Sequence, residues 1–301
     1  MSVHTSVLLH ESIDGLFVQK GDVYLDGTLG SAGHALYALE KVGGDLTVIG
    51  LDRDIDALAR SHKTLEKHMK KARLHLKQAS YGDLDTVLDV LKIDKVNRIM
   101  LDLGLSSDQF ETSGRGFTFR KDEPLLMTFN KHPATDDLTA RYIVNNWEET
   151  TIADVIFGYG EERYSRLIAR AIVAYRKRKP IETTTELVEI IQSAVPAIYR
   201  RGRIHPATRT FQALRIAVND ELNTLKQGIN RGFDRLEKNG RMAVISFHSL
   251  EDRIVKHFFK EKAEQDMAIL ITKRPIEASE EEVQRNPRSR SAKLRIIEKT
   301  I

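Results

Sequence analysis

The chain has 301 residues, of which 41% are hydrophobic and 30% are charged, and its formal net charge is +4 at pH 7. This length allows one large core or two domains, and no apolar run approaches the roughly 18 residues that a transmembrane helix needs. The absence of cysteine excludes disulfides, thiolate zinc sites and cysteine-ligated iron–sulfur clusters, and no metal site is predicted. It also excludes a cysteine nucleophile, and with it covalent attack of a thiolate on a pyrimidine ring.

The amino terminus lacks the basic region and the apolar stretch of a signal peptide. We therefore expect a cytoplasmic protein without a membrane segment. Residues 4–17 are predicted to form a short lead-in that packs over the first strand.

A β-α-β unit is predicted over residues 23–52. Its first strand ends at Asp26, its second strand ends at Asp52, and a glycine-rich turn follows the first strand. Such a unit is typical of a nucleotide-type site, where glycines let the backbone approach the ligand and the second acid accepts hydrogen bonds from ribose hydroxyls. The turn has the spacing G-x-x-G-x-x-G, with its glycines at Gly27, Gly30 and Gly33.

Two features of this turn bear on the identity of the ligand. Its spacing differs from the dinucleotide pattern G-x-G-x-x-G, and Asp26 stands immediately before it. A carboxylate at that place is unfavourable for a pyrophosphate but suits a ligand that carries an ammonium and a sulfonium. The turn therefore favours S-adenosylmethionine over NAD, and the alternative is a turn that only joins a strand to a helix.

Two more strands are predicted downstream, over 73–78 and 97–103. Tyr81 follows the first of them, where an aromatic ring either stacks on adenine or covers the core. Asp102 lies near the end of the second, at the edge where open α/β sheets bind ligands, unless its carboxylate only caps a helix or a turn. The polar loop at 104–109 is the predicted acceptor-binding loop.

The alternation of strands and helices stops between residues 110 and 204. Amphipathic helical patterns continue through this stretch, and no strand pattern interrupts them. We therefore predict an all-helical insertion at 110–204 that recognises the substrate. It would interrupt a discontinuous α/β domain, formed by 1–109 and 205–301, that holds the cofactor.

The second part of that α/β domain is predicted to begin with one long amphipathic helical segment over 205–236. Asn239 and Gly240 would end it, and a buried strand would follow over 241–247. His248 comes at the end of this strand, where a histidine either makes structural hydrogen bonds or contacts a substrate base. Two last strands without a helix between them predict a hairpin at the sheet edge.

Basic residues are concentrated in two stretches of the chain. Five arginines lie within 199–215 and five basic residues lie within 284–295, and neither stretch contains an acid. Such clusters are electrostatic footprints for a phosphate backbone, and the alternative is solvated surface. The predicted contacts to RNA are Arg200, Arg201, Arg203, Arg209, His248, Arg288 and Arg290.

Nine short motifs lie in order along nearly the whole chain. They are HTSVLLHES, DGTLGSAGH, LDRD, LDLGLSSDQ, RGFTF, YGEER, HPATRTFQALRIAVNDEL, ISFHSLEDRIVK and NPRSRSAKLR. Together they resemble the bacterial 16S rRNA (cytosine(1402)-N4)-methyltransferase family, also called RsmH or MraW. The resemblance implies a class I, Rossmann-like S-adenosylmethionine methyltransferase sheet with an inserted all-helical domain. It also implies S-adenosyl-L-methionine as the cofactor and a decoding-centre cytidine of 16S rRNA, met within the small ribosomal subunit, as the substrate.

The resemblance further implies roles for single residues. Asp52 would hold the ribose, and Tyr81 would flank the adenine. Asp102 and Gln109 would lie near the adenine or the reacting end, and Asp102 is the candidate catalytic residue because it can accept the hydrogens of the target amine. The implied cofactor contacts are Ala32, Gly33, His34, Asp52, Tyr81, Asp102 and Gln109.

The sequence departs from the family pattern in two places. Ala32 stands where glycine is usual, a change that the turn tolerates if the φ angle is negative. Leu126, Thr128 and Asn130 stand where an acid, an arginine and a second acid are usual, which bears on rate or substrate choice. The alternative functions are N-methylation of another RNA or DNA base and non-catalytic assembly of the small subunit.

Overall fold

The computed structural model describes residues 6–69, 73–104, 113–131, 133–134 and 136–301. The Cα atoms group into two compact units. The first unit comprises Met1–Gly104 and Leu222–Ile301, and the second comprises Leu105–Glu221. Within the described ranges, every helix is too short or too polar to cross a membrane.

Helices and strands alternate in the first part of the described chain and in its last part. The described helices are α1 (Leu9–Leu16), α2 (Gly33–Lys41), α3 (Ile55–Glu66), α4 (Leu84–Leu91), α5 (Ala140–Asn146), α6 (Glu149–Gly160), α7 (Ser165–Arg176), α8 (Thr184–Ala194), α9 (Ala197–Arg200), α10 (Thr208–Asn219), α11 (Glu221–Arg235), α12 (Ser249–Glu264) and α13 (Glu280–Arg285). The described strands are β1 (Val23–Asp26), β2 (Thr47–Asp52), β3 (Arg73–Gln78), β4 (Val96–Asp102), β5 (Leu236–Ser246), β6 (Ala268–Leu270), β7 (Ile276–Glu277) and β8 (Lys293–Lys299). Short 3₁₀ turns lie at Tyr81–Asp83 and Pro287–Ser291.

The first unit is built on an eight-stranded sheet in the order β3-β2-β1-β4-β5-β8-β6, with β7 also paired to β8. Strands β1 to β5 are parallel to one another, and β8 is antiparallel to β5, β6 and β7. Strands β1, β2 and β4 are buried along nearly their whole length, as expected for parallel strands covered on both faces. The predicted Rossmann-like α/β class is therefore confirmed.

Two apolar cores lie on opposite faces of this sheet, because alternate residues of each strand belong to different cores. Tyr24 of β1 packs in the core under α1, α2 and α3, whereas its neighbour Leu25 packs in the core under α4, α11 and α12. Burial on both faces fixes the register of the strands, because a slip by one residue would exchange the two sets of side chains.

The second unit is helical and has one core of its own. That core is formed by apolar side chains of α5 to α8 and α10. A capping box formed by Thr183 and Glu186 begins α8, as the pattern S/T-x-x-E predicts. Helices α6 and α10 pack closely, since a Cβ at Gly160 would lie 2.5 Å from the main-chain oxygen of Arg209.

The predicted single helical segment over 205–236 is wrong in one respect. The structure has two helices there, α10 and α11, and the chain turns between them at Asp220, whose φ is 49°. The division into compact units falls at this break, so α10 belongs to the helical unit instead of the α/β unit. The roles of the two units, as cofactor-binding domain and recognition insertion, stay predictions.

Two further elements differ from the sequence-based expectation. Helix α11 ends at Arg235 and β5 begins at Leu236, so Asn239 and Gly240 lie inside a strand. The register against β4 shifts at this point, which accommodates the positive φ of Asn239. The last strands are not joined as a simple hairpin, because β7 and α13 lie between β6 and β8.

Lys299 closes the carboxyl end of α11. Its ammonium donates hydrogen bonds to the main-chain oxygens of Phe233, Asp234 and Leu236 at 3.0–3.2 Å. Only 9% of the residue is exposed, and this burial lowers the pKa of Lys299. The last carbonyls of a helix have no partner within the helix, so this side chain supplies them with a donor, and Lys95 is a second donor to the oxygen of Asp234 at 2.7 Å.

We predict that Lys299→Met lowers the free energy of unfolding by about 2–3 kcal/mol, because three carbonyls lose a charged donor while the aliphatic stem is retained. Urea denaturation measures the change. Lys238→Met is the matched control, because Lys238 is exposed, and it should change stability by less than about 0.5 kcal/mol. Equal midpoints for the two variants would contradict the prediction.

Candidate active site

Three aspartates end adjacent parallel strands of the first unit. Asp26 ends β1, Asp52 ends β2 and Asp102 ends β4. Strand β1 lies between the other two, with Asp26 opposite Gly50 and Met100. The carboxyl ends of parallel strands meet at one edge of a sheet, so the three carboxylates that the sequence predicted at this edge do lie together.

The glycine-rich turn is fastened to the strand ends by main-chain hydrogen bonds. The N–H of Gly27 donates to the oxygen of Met100 at 2.9 Å, and the N–H of Leu29 donates to the oxygen of Leu51 at 2.9 Å. A Cβ at Gly27 would lie 2.5 Å from Cδ2 of Leu101, so the close approach of the turn to β4 requires glycine here. Gly30 has a φ of 52°, in the region that favours glycine.

Ala32 adopts the left-handed conformation, with φ 63° and ψ 23°. The condition under which the turn would tolerate alanine, a negative φ, is therefore not met. A non-glycine residue in this conformation carries a strain of about 1–2 kcal/mol. The residue is fully buried at the start of α2, and its N–H donates to the oxygen of Leu29 at 2.7 Å. Gly33 is the first residue of that helix.

Asp52 accepts two main-chain hydrogen bonds, one on each carboxylate oxygen. Gly30 donates to Oδ2 at 2.9 Å, and Asp54 donates to Oδ1 at 2.8 Å. Burial raises the pKa of Asp52, and these hydrogen bonds oppose the rise. Each oxygen keeps a further lone pair, so contact with a ribose hydroxyl remains available and stays a prediction.

Asp26 is 2% exposed, and burial raises its pKa to about 7. The N–H of Thr28 and the hydroxyl of Tyr24 donate to its carboxylate at 3.1 and 3.4 Å, which limits the rise. The pKa of Tyr24 is raised well above its usual value of 10 by burial and by the neighbouring acid. The end of β1 therefore holds an acid that is partly protonated near neutral pH.

Asp102 has an unsatisfied polar atom at this edge. Its Oδ1 is buried and has no hydrogen-bond partner among the described residues, although 20% of the side chain is exposed. Burial raises the pKa of Asp102, and the charges of Asp26 and Glu251 raise it further. Nδ1 of His34 lies 3.9 Å from Oδ2, while Nε2 of the same ring lies 3.1 Å from the oxygen of Val7. A buried carboxylate oxygen without a partner marks a place for an external donor.

Thr28 links two of the acids, and the sequence reasoning missed it. Its hydroxyl accepts a hydrogen bond from the N–H of Asp102 at 2.6 Å and also hydrogen-bonds Asp26. A hydroxyl residue two positions after a strand-ending acid was the available signal, but it predicts a local turn contact and not a bond to another strand.

Among the described residues, the basic side chain beside the three acids is His34, whose Nδ1 lies 3.9 Å from Oδ2 of Asp102 and which is charged only if protonated. No lysine or arginine of the described residues forms an ion pair with the three acids. Such an edge repels a pyrophosphate and attracts a ligand with positive charge. The two positively charged groups of S-adenosylmethionine, its ammonium and its sulfonium, fit these carboxylates, and the unpaired Oδ1 of Asp102 offers an acceptor. The preference for a cationic cofactor over NAD therefore agrees with the geometry.

Tyr81 lies in the 3₁₀ turn after β3, and its ring packs on α11. A Cβ at Gly228 would lie 2.5 Å from Cδ2 of Tyr81, so the helix comes close to the ring because it has glycine there. The core-covering role of Tyr81 is therefore present, and its contact with adenine stays a prediction. Gln109, the remaining predicted cofactor contact, lies outside the described residues.

His248 has a structural role at the end of β5. Its Nδ1 accepts a hydrogen bond from the N–H of Glu251 at 3.4 Å, and the carboxylate of Glu251 accepts from the N–H groups of Phe247 and His248. This capping box begins α12, and 11% of the His248 side chain is exposed. Contact between His248 and a substrate base stays a prediction.

The arginines that are predicted to contact RNA differ in their exposure and in their hydrogen bonds. Arg200, Arg201 and Arg203 are exposed in the second unit, whereas Arg209 is half-buried and donates to the main-chain oxygen of Glu161 at 3.2 Å. Arg215, which belongs to the same stretch of sequence, forms a two-pronged ion pair with Glu221 at 2.8 and 2.9 Å.

The second basic stretch is also smaller in the structure than in the sequence. Arg290 is exposed and Arg288 is half-buried. Arg295 is buried in β8 and paired with Asp252 at 2.7 and 3.1 Å, so it serves the fold. The exposure of Arg290 and of Arg288 does not test whether they contact RNA, so these two contacts stay predictions.

The segment that departs from the family pattern is held by other residues of the second unit. A guanidinium nitrogen of Arg115, which is 8% exposed, donates to the main-chain oxygens of Thr128 and Phe129 at 3.1 and 2.6 Å. Asn219 donates to the oxygen of Met127 at 2.7 Å. The backbone of this segment is therefore fixed without the charges that Leu126, Thr128 and Asn130 replace.

Thr28 provides a test of the link between strand ends. We predict that Thr28→Val lowers the free energy of unfolding by about 1–3 kcal/mol, because the buried N–H of Asp102 loses its acceptor. Thr28→Ser keeps the hydroxyl and should lose less than half of that amount. Urea denaturation distinguishes the two, and equal losses would show that the hydroxyl contributes nothing.

The raised pKa of Asp26 predicts how stability depends on pH. Because the folded-state pKa is about 7 and the usual value is 3.8, the folded protein binds more protons between these values, and stability falls as pH rises. Asp26→Asn removes this titration. The variant should therefore gain stability relative to the wild type between pH 4 and pH 8, by up to roughly 4 kcal/mol at 1.36 kcal/mol per pH unit.

Chemical denaturation across this pH range, with Asp94→Asn as the control, measures the effect. Asp94 is 85% exposed, so its variant should follow the wild-type profile. A stability difference between Asp26→Asn and the wild type that stays constant with pH would show that Asp26 is charged throughout.

Comparison with known proteins places the chain. The model of the MraW methylase family matches residues 1–300. A protein of Clostridium botulinum (strain Kyoto / Type A2) named ribosomal RNA small subunit methyltransferase H is 44% identical, covering 98% of each chain. The protein of the same name in Synechococcus elongatus is 47% identical, covering 99% of this chain and 95% of that one. An rRNA methylase structure from Streptococcus thermophilus aligns with 99% of this chain and 100% of its own at 12% identity and a TM-score of 0.46. On the sequence matches, the chain belongs to the MraW methylase family.

Proposed function

We propose that this protein transfers a methyl group from S-adenosylmethionine to the exocyclic N4 amine of a cytidine in the decoding centre of 16S rRNA. The proposal rests on the edge of the sheet where the carboxyl ends of β1, β2 and β4 meet, called the strand edge below. There Asp102 presents a buried, unpaired carboxylate oxygen beside two other acids. The names of the relatives, ribosomal RNA small subunit methyltransferase H, support small-subunit rRNA as the substrate. The position, expected at cytidine 1402, comes from the family resemblance of the motifs.

Residues of the first unit would hold the cofactor. Asp52 would bind the ribose, and the backbone of Ala32, Gly33 and His34 lies at the turn where the cofactor would approach α2. Tyr81 would flank the adenine. When bound, S-adenosylmethionine supplies a methyl group that its sulfonium already activates.

Orientation is the main task left to the protein, because the nucleophile, methyl carbon and sulfur must be collinear. The N4 amine is a poor nucleophile, since its lone pair is delocalised into the ring. A hydrogen bond from this amine to Oδ1 of Asp102 would help to localise the lone pair. Burial raises the pKa of Asp102, and a positively charged ligand beside it favours the carboxylate form.

The setting of the reaction follows from the substrate. A base buried in a stack must leave it to reach the strand edge, which takes a few kcal/mol. We propose that the assembled small subunit, in the cytoplasm, presents the cytidine, and that Arg200, Arg201 and Arg203 contact its RNA backbone. These three side chains are exposed and can reach phosphates.

A non-catalytic assembly factor is the second candidate function. The observation that favours it is the replacement of three charged family positions by Leu126, Thr128 and Asn130. Transfer of labelled methyl groups to small subunits that lack the modification, followed by mass spectrometry of the rRNA, decides between the two. A methyl group on N4 of one cytidine supports the proposal, whereas binding without transfer supports the assembly factor. A methyl group on a different base would identify another N-methyltransferase.

Asp102 provides the sharper test of mechanism. We predict that Asp102→Asn lowers kcat by about 10²- to 10³-fold, because a neutral amide replaces the charged acceptor for the amine hydrogen. The Kd for S-adenosylmethionine, measured by calorimetry, should change by less than about fivefold. Asp94→Asn, an exposed aspartate of the same unit, should leave both quantities unchanged. Equal losses of kcat and affinity would make Asp102 a cofactor ligand only.

A further inference from the structure

A groove of about 470 Å³ lies between α11 and α12 in the first unit. Ile229, Ile254 and Phe258 contribute its apolar lining. The two helices share the core on one face of the sheet, so the groove is closed from below by packed side chains. It contains none of the residues assigned above to the cofactor or the target amine.

The rim of this groove is predominantly basic. Lys226 comes from α11, and Arg253, His257 and Lys262 come from α12, with Glu261 as the acid among them. Counting lysine and arginine alone, the rim has three positive charges against one negative charge. An apolar lining with an aromatic ring, bordered by cations, is the combination that binds a single nucleic-acid strand through its bases and phosphates.

The charges of α11 are divided between its two sides. Arg231 and Arg235 form ion pairs with aspartates in and beside α4. Lys226 forms no ion pair with any residue of the described ranges. Of the three cations of α11, Lys226 on the groove side is therefore the one that can bind an external anion.

Lys262 is oriented by aromatic rings. Its ammonium lies 5.4 Å from the ring centroids of both Phe233 and Phe258. These contacts restrict the Lys262 side chain near the carboxyl end of α12. A side chain that is already ordered loses less entropy when it binds a phosphate.

The groove also has a direction. Helix α12 begins at Ser249, directly after β5, whose residue Ile245 lies opposite Asp102 of β4. Arg253 is therefore about one helical turn from the strand edge, and Lys262 is about 14 Å farther along the helix at a rise of 1.5 Å per residue. A single-stranded RNA segment lying in the groove would run along α12 from Lys262 past Arg253 to the strand edge.

We propose that the groove between α11 and α12 binds a single-stranded segment of the RNA substrate next to the nucleotide that enters the strand edge. The inference rests on the proposed function and adds a second contact surface to it. The phosphates contact Lys226, Arg253 and Lys262, and a base packs on Phe258. The net positive charge of the rim selects a polyanion, and the apolar lining favours RNA over an acidic protein segment because it offers a stacking surface to every base.

Charge removal provides the first test. The double variant Lys226→Ala/Arg253→Ala should weaken binding to small ribosomal subunits that lack the modification by about tenfold at 0.15 M salt. The slope of log K against log salt should become shallower by about 1.4, which corresponds to two phosphate contacts with a single strand. The matched control is Lys256→Ala/Lys260→Ala, because these two lysines are exposed on α12 and do not line the groove. Calorimetry with S-adenosylmethionine should give wild-type affinity for both double variants, which shows that they are folded.

Site-specific cross-linking provides the second test, because the chain has no cysteine and a single introduced one is unique. Asn230→Cys lies on the rim and Lys260→Cys lies outside it. After labelling with a photoactivatable maleimide, the first should cross-link to rRNA and the second should not. Cross-linking of the first variant to a ribosomal protein would overturn the proposal, as would equal yields from both variants or an unaltered salt slope.

These outcomes separate the inference from the proposed function. If the wild type methylates the subunit and the groove variants bind as well as it does, the groove proposal fails and the proposed function stands. If the wild type neither binds nor methylates the subunit, both fail.

Discussion

Burial of three carboxylates at one sheet edge, without a lysine or arginine partner among the described residues, is the constraint that shapes the first unit. A buried charge is unfavourable unless it is paired or solvated. The protein limits the penalty with main-chain donors at Asp52, with Thr28 and Tyr24 at Asp26, and leaves Oδ1 of Asp102 unpaired. A cationic ligand would reduce the penalty of burying all three carboxylates. The same penalty therefore lowers the stability of the protein without the ligand and raises its affinity for the ligand.

The sequence predicted the parts of this edge that depend on periodicity. Strands that end in an acid can be recognised because the apolar run stops there, and the parallel arrangement brings Asp26, Asp52 and Asp102 to one place. The bridging hydroxyl of Thr28 and the positive φ of Ala32 could not be predicted in this way. The Thr28 bond joins two segments that are far apart in sequence, and the Ala32 conformation is one that alanine, unlike glycine, does not signal.

The same distinction explains the errors in the helical region and in the basic stretches. Apolar residues continue at helical spacing through Asp220, so the pattern does not reveal that the chain turns there and that α10 and α11 belong to different units. A run of arginines likewise does not show which of them meet acids in the fold. Arg215 and Arg295 pair with Glu221 and Asp252, whereas Arg200 and Arg203 stay exposed. Pairing is a tertiary property, and a charge count cannot supply it.

The position of β8 has a consequence for biosynthesis. This strand lies between β5 and β6, and Lys299 within it closes the end of α11, so the α/β unit requires residues 293–299 before its sheet is complete. The helical unit ends at Glu221, before β8 in the chain. On a translating ribosome, β8 is therefore synthesised after the whole helical unit, and until then one edge of β5 lacks its antiparallel partner.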